Sequence, residues 1–188
     1  IKEFKKNSDI VNDIIKNFDL PVIIKMNKGS QGHNVFHCKN RREIKEAIKL
    51  IYDGKQYRDY LAIAQECIDI ESEYRVIIYK GKVLLIYLKD ISDAYFEGNL
   101  SPLHWRNAKS VIIKDQNLIE KVEKMWKRTE SVLPAKFISL DLAIDKDGKM
   151  WIIEINNSPG LAIFNESNGI EPLVDMLEYI LKDLHDEK

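Results

Sequence analysis

The chain has 188 residues, 45% of them hydrophobic and 31% charged, enough apolar content to bury a core in one domain or two small lobes. Lys and Arg number 29 against 30 Asp and Glu, a formal net charge of -1, so no overall field draws the chain to nucleic acid or an anionic membrane. No apolar run approaches the ~20 residues of a membrane span, and no secretory leader is expected.

The periodicities alternate between helix and strand, which predicts α+β lobes. Asn7 to Phe18 reads as a helix with Ile10, Val11, Ile14, Ile15 and Phe18 on one stripe behind a Ser8 cap. Pro21 to Met26 reads as a strand, Lys28 to Gly32 as a loop and Asn34 to Cys38 as extended chain. Asn40 with Glu43 three residues on resembles a capping box, opening a helix with Ile44, Ala47, Ile48 and Ile51 inward. Tyr60 to Glu66 is a further strand.

Tyr74–Tyr79 and Lys82–Leu88 form a hairpin about Lys80-Gly81. Residues 90 to 110 read as irregular, and a loop this long in a compact domain is usually functional. A helix from about Asp115 to Thr129 turns Leu118, Val122, Met125 and Trp126 inward. Strands Phe137–Ile144 and Lys149–Asn156 follow, then a last helix with Pro172 in its first turn and Leu173, Val174, Leu177, Ile180 and Leu181 inward.

Strand parity singles out Phe137 to Gly160. A four-residue connection, Asp145 to Gly148, sets Ile144 opposite Lys149 and Asp141 opposite Ile152, so Asp141, Glu154 and Asn156 project from one face. Two carboxylates and an amide oxygen suit Mg²⁺ bound with phosphates, whereas the plainer reading is the wet side of a hairpin. A one-residue slip would reverse Asp141. Asp145, Asp147, Gly148 and Glu154 fall at four positions of a calcium loop, but Ala143 at its first position has no ligand oxygen, which rules that motif out.

Lys25 to Gly32 follows a strand, and its glycines free backbone N–H groups to approach phosphate oxygens. The order of its lysine and glycines is neither that of a Walker loop nor of a dinucleotide fingerprint, and taken alone it reads better as a tight turn between two strands. Cys38 and Cys67 have no metal or redox spacing and read as reduced thiols of a cytoplasmic protein. The chain opens at Ile1 without a methionine, as a piece of a longer protein would.

Together these segments suggest a family. Pro21-Val-Ile-Ile-Lys25 followed by Gly29-Ser-Gln-Gly32 resembles the lysine strand and glycine loop of ATP-grasp enzymes. Ala64-Gln-Glu-Cys-Ile68 looks like their adenine-holding hinge, and Glu154-Ile-Asn156-Asn-Ser-Pro-Gly160 is similar to their metal motif, with Asp141 upstream. The nearest resemblance is to the branch containing the ligase that adds glutamates to a ribosomal protein (RimK-like). It implies an ATP-grasp fold, α+β, of two lobes clasping ATP, here residues 1–68 and 69–188, without the separate N-terminal substrate domain.

The resemblance also implies roles. Lys25 would contact the nucleotide phosphates and Gly29, Ser30, Gln31 and Gly32 would close over them. Gln65, Glu66, Cys67 and Ile68 would hold the adenine, and Glu73 and Asn99 would touch the nucleotide. Arg75 would face the transferring phosphoryl group, and Asp141, Glu154 and Asn156 would bind Mg²⁺, with Mn²⁺ as the alternative ion. Glu97 stands where the branch has an arginine, and Arg106 is the residue expected to supply that charge. The implied reaction joins a carboxylate (an amino acid, peptide or protein terminus) to an amine at the expense of ATP. The alternatives are a nucleotide-binding fragment without complete activity and an ATP-grasp kinase. No nucleic-acid or membrane partner is expected, and the oligomeric state is left open.

Overall fold

The computed structural model describes residues 2–4, 6–29, 32–53, 59–96, 98 and 100–186. Two compact units emerge: Ile1–Ile68 with Phe96–His104, and Asp69–Tyr95 with Trp105–Lys188.

The first unit holds α1 (Asn7–Asn17), β1 (Val22–Met26), β2 (Val35–Cys38), α2 (Arg41–Asp53) and β3 (Ala62–Glu66), with strand order β2-β1-β3, all antiparallel. Val22, Ile24 and Met26 alternate onto one face of β1 and are buried with Val11 and Ile14 of α1 and Ile44, Ala47, Ile48 and Ile51 of α2. Each fully buried isoleucine contributes about 1.5–3 kcal/mol relative to exposure. The Asn40–Glu43 box forms: Glu43 N donates to Asn40 Oδ1 at 3.1 Å, while the Glu43 carboxylate takes Lys39 N at 2.7 Å. Ser8 is not the cap of α1. It lies within the first turn and donates to Asp9 Oδ1 at 3.3 Å, because the helix starts before it and Lys6 occupies the cap position.

The second unit is a five-stranded antiparallel sheet of order β6-β5-β4-β7-β8, comprising β4 (Ile70–Tyr79), β5 (Lys82–Asp90), β6 (Lys109–Ile112), β7 (Phe137–Asp145) and β8 (Met150–Asn156). Lys80 and Gly81 both have positive φ, 46° and 80°, the geometry of a tight two-residue hairpin. Behind the sheet lies α3 (Gln116–Glu130), capped by Asp115 and burying Val122 and Trp126 on Val76, Ile78, Ile86, Leu140 and Leu142. In front, α4 (Ala162–Asn168) sets Phe164 on the Tyr87 ring at 4.9 Å, and Asn168 Nδ2 donates to Ser110 O at 2.9 Å.

Three expectations change here. Residues 90 to 110, read as irregular, contain a 3₁₀ turn at Pro102–His104 and the edge strand β6. The last helix, α5 (Glu171–Asp186), buries Leu173 and Met176, whereas Val174, Leu177 and Leu181, expected inward, are exposed. Asp183, one turn beyond Ile180 on the seated side, takes the Tyr79 hydroxyl and the Lys80 ammonium, which fixes the helix by that edge. The β7–β8 register also differs: Ile144 pairs Met150 and Leu142 pairs Ile152, one residue off the expected alignment. Among the described residues no helix is long and apolar enough to cross a membrane.

Candidate functional site

In the first unit, the alternation that buries Val22, Ile24 and Met26 turns Ile23 and Lys25 to the opposite face of the sheet. Lys25 pairs with Ile63 and Ile23 with Gln65, so Lys25 and Gln65 share that face. Glu66 ends β3 and is exposed; Cys67 and Ile68 follow half-buried.

The glycine loop is rooted at both ends by backbone bonds. Met26 N donates to Asn34 O at 3.1 Å and Asn27 N to Leu61 O at 3.2 Å. Lys28 N donates to the buried Asp59 carboxylate at 2.6 Å, and that carboxylate also accepts from Tyr60 N at 2.7 Å and Leu61 N at 3.2 Å. Burial alone would raise the Asp59 carboxyl, but these N–H groups hold it below its usual range. A Cβ at Gly29 would come within 3.3 Å of His33 O, so glycine suits the tight path there. Gly32 adopts a φ of 71°, which a side chain would resist. Ser30, Gln31, Glu97 and Asn99 lie outside the described residues.

In the second unit the helix-free part of the front face carries the polar groups. Cross-strand pairs share a face, and the pairs Tyr87–Arg75, Arg75–Asp141 and Asp141–Glu154 run as one row over β5, β4, β7 and β8. Lys89 and Glu73 form part of the next row, and Ser139 and Asn156 pair two residues beyond Asp141 and Glu154. Continued without interruption, the observed Leu142–Ile152 register would set Asp141 opposite Ile153, away from Glu154 and Asn156. A bulge at Ile153, the extra residue between the Leu142–Ile152 and Asp141–Glu154 pairs, restores Asp141, Glu154 and Asn156 to one side.

The row is tied by charge. Arg75 Nε donates to Asp141 Oδ1 at 2.8 Å and Nη2 to Oδ2 at 3.0 Å, a bidentate pair, while Nη1 donates to Gly160 O at 3.1 Å. The Lys89 ammonium, its side chain 1% exposed, contacts the Glu73 carboxylate and lies 3.2 Å from Asp141 Oδ1. Burial pushes the Glu73 carboxyl above its ordinary value, against the pull of Lys89. Burial also opposes ionisation of Asp141, yet Arg75 and Lys89 outweigh it and hold that carboxyl low. Burial works against the Arg75 charge as well, but Asp141 keeps its pKa above the ordinary arginine value. Arg106 stands elsewhere in this unit, exposed, its guanidinium over the Tyr95 ring at 5.2 Å.

The donor set fits a small hard cation. Glu154 is exposed and Asn156 half-buried, and neither side chain is bonded among the described residues. Asp141 Oδ2 accepts one hydrogen bond and keeps lone-pair capacity, since a carboxylate offers about four acceptor sites. Ser139 Oγ, buried opposite Asn156, has no hydrogen-bond partner among the described residues and borders the same set. Among those residues no three His, Cys, Asp or Glu side chains gather as a metal site. Lys89 and Asp59 escaped the sequence reading: each resembles an ordinary surface charge until the pairings bury it.

Residues 1–180 match the RimK-like ATP-grasp domain. Among curated relatives, the coenzyme gamma-F420-2:alpha-L-glutamate ligase of Methanocaldococcus jannaschii is 26% identical over 151 residues, covering 80% of this chain and 48% of that protein. The D-alanine–D-alanine ligase of Flavobacterium johnsoniae is 27% identical over 172 residues, covering 86% of this chain and 50% of its own. The chain thus spans about half the length of these relatives. Among solved structures, the biotin carboxylase domain of the Hydrogenobacter thermophilus 2-oxoglutarate carboxylase, in complex with MgADP, ADP and bicarbonate, superposes with a TM-score of 0.58 at 16% identity. That match covers 84% of this chain and 35% of that one, a likeness of fold. The chain belongs to the RimK-like ATP-grasp family.

Proposed function

We propose that this chain is the nucleotide-binding and catalytic core of an ATP-dependent carboxylate–amine ligase. The observation that carries the reading is the row Arg75–Asp141–Glu154 with Asn156 beside it on one sheet face: a guanidinium next to a hard-oxygen donor set. The relatives are ligases of glutamate and of D-alanine, which supports the same reaction class here.

Lys25 and the glycine loop contact the phosphates, Gln65 to Ile68 the adenine, and Glu73 and Asn99 the remainder of the nucleotide. Asp141, Glu154 and Asn156 hold Mg²⁺, or Mn²⁺ in its place, and when bound that ion offsets the negative charge of the phosphate oxygens. Arg75 orients the terminal phosphoryl group: its three contacts to Asp141 and Gly160 do not exhaust its five N–H groups. A substrate carboxylate oxygen attacks the γ-phosphorus and the bond to the β–γ bridging oxygen breaks, leaving ADP and an acyl-phosphate. An amine then attacks the acyl carbon, loses a proton and expels phosphate, giving an amide. The protein contributes position and fixed charge, with no side-chain nucleophile. Arg106 is the residue we assign to the acyl-phosphate side, from its place after the altered segment at Glu97. Cys38 and Cys67 carry thiols outside any disulfide, which fits a cytoplasmic setting.

Calorimetric titration of ATP with and without Mg²⁺ tests this. The wild type binds ATP more tightly with Mg²⁺, and Glu154→Ala, a change at an exposed position, weakens the metal-dependent part at least about tenfold. Equal Mg²⁺ dependence in both proteins would remove the metal assignment. Binding without ADP release against any panel of carboxylates and amines would favour a nucleotide-binding fragment over a complete ligase.

A further inference from the structure

Lys89 is a lysine in the middle of a charged chain, and its burial is the most unexpected feature of the second unit. A lysine ammonium is rarely withdrawn from water unless paired, and a buried pair recovers its desolvation only with good geometry. Here the ammonium lies between two carboxylates on different strands. It meets Glu73 one step beyond the Tyr74–Leu88 pair of β4 and β5 and lies 3.2 Å from Asp141 Oδ1 on β7. Its neighbourhood is closed by Ser110, itself buried on β6 and fastened to α4 by Asn168. Asp141 Oδ1 thereby receives two cationic donors, Arg75 Nε at 2.8 Å and Lys89, while Oδ2 receives one. Arg75 thus holds both oxygens of the carboxylate and Lys89 adds to Oδ1, which leaves Oδ2 the less occupied of the two.

The geometry points to Lys89 as a positioning residue that fixes the Asp141 carboxylate for metal binding and links it to Glu73. The inference rests on the functional reading above, because it needs Asp141 to be a metal ligand. Groups that orient a ligating carboxylate through hydrogen bonds typically change metal affinity about 10–100-fold when removed. Lys89 therefore acts through Asp141, with no contact of its own to the reacting atoms. The ammonium also neutralises Glu73, and a residue present for that alone would leave the metal unaffected once Glu73 were neutral too.

The test measures Mn²⁺ binding by its electron paramagnetic resonance signal at saturating ADP, on the whole chain. Lys89→Met raises the half-saturating Mn²⁺ concentration at least about tenfold, and Lys89→Arg restores most of it. Because Lys89→Met leaves two buried carboxylates facing one remaining cation, a charge-balanced variant, Glu73→Gln/Lys89→Met, is measured beside it, with circular dichroism confirming the fold of each. Glu73→Gln alone is the reference for the double variant, since it carries any loss of the nucleotide contact given to Glu73. On the present inference the double variant binds Mn²⁺ more weakly than that reference, because Asp141 still lacks Lys89. Equal Mn²⁺ affinity in Glu73→Gln and the double variant would overturn it and leave Lys89 as a counter-charge for Glu73. Failure of the wild type to bind Mn²⁺ with ADP would instead remove the functional reading and this inference together.

Discussion

Asp59 and Lys89 show how single charges set the local geometry of their units. The Asp59 carboxylate collects Lys28 N, Tyr60 N and Leu61 N and so ties the start of the glycine loop to the strand that pairs with Lys25. Replacing it with alanine leaves three N–H groups without that acceptor; Lys28, Tyr60 and Leu61 are exposed, so water replaces part of it and the total falls near the low end of the about 1–3 kcal/mol of one unsatisfied buried group. Asp59→Ala is expected to lose at least about 1 kcal/mol of stability in urea unfolding and to weaken ATP binding, while Asp59→Asn, which keeps an oxygen, loses less. A change within about 0.5 kcal/mol, the usual range for surface substitutions, would show that the loop root does not depend on this carboxylate. Neither residue was legible in the sequence, because a charge flanked by polar neighbours carries no sign of burial. The shared face of Asp141, Glu154 and Asn156 was legible from strand parity, whereas the roles proposed for them, for Lys25 and for Arg75 rest on motifs matched in order and spacing.

At the scale of elements, periodicity found the helices and most strands because each has an apolar face that one segment displays by itself: Ile44, Ala47, Ile48 and Ile51 on α2 are the plainest case. What it could not find depends on partners. The Ile153 bulge arises in the pairing of β7 with β8, and β6 is an edge strand of four residues that pairs, among the described residues, with β5 alone. The α5 stripe is wider than the face that seats, so periodicity named both its covered and its exposed leucines. The short helix α4 lacks a repeating stripe and is fixed by one aromatic side chain, Phe164, fully buried against Tyr87, with Asn168 bonded to Ser110. Phe164→Ala should cost about 3–5 kcal/mol, the usual range for removing a buried phenylalanine. Denaturant unfolding followed by circular dichroism measures it, and a loss below about 1 kcal/mol would mean that α4 is held by other contacts.

The whole molecule consists of two compact units, and the residues assigned to the nucleotide belong to both: Lys25, the glycine loop and the hinge to the first, Glu73, Arg75, Asp141, Glu154 and Asn156 to the second. A ligand that binds only the folded protein stabilises what it touches, by about 2.7 kcal/mol at a hundred times its Kd. For a chain of this length that amounts to a rise in Tm of roughly 5–11 °C. The chain has three tryptophans, Trp105, Trp126 and Trp151, and all lie in the second unit, so their fluorescence reports that unit alone. Hydrogen exchange of the β1 and α2 amides reports the first. MgADP is expected to raise the tryptophan transition and to increase protection in β1 and α2 together, and chelation of the metal should reverse the larger part of both effects. A shift confined to tryptophan fluorescence would leave the nucleotide with the second unit only, and the roles given to Lys25 and the hinge would fall while those of Asp141 and Glu154 stood.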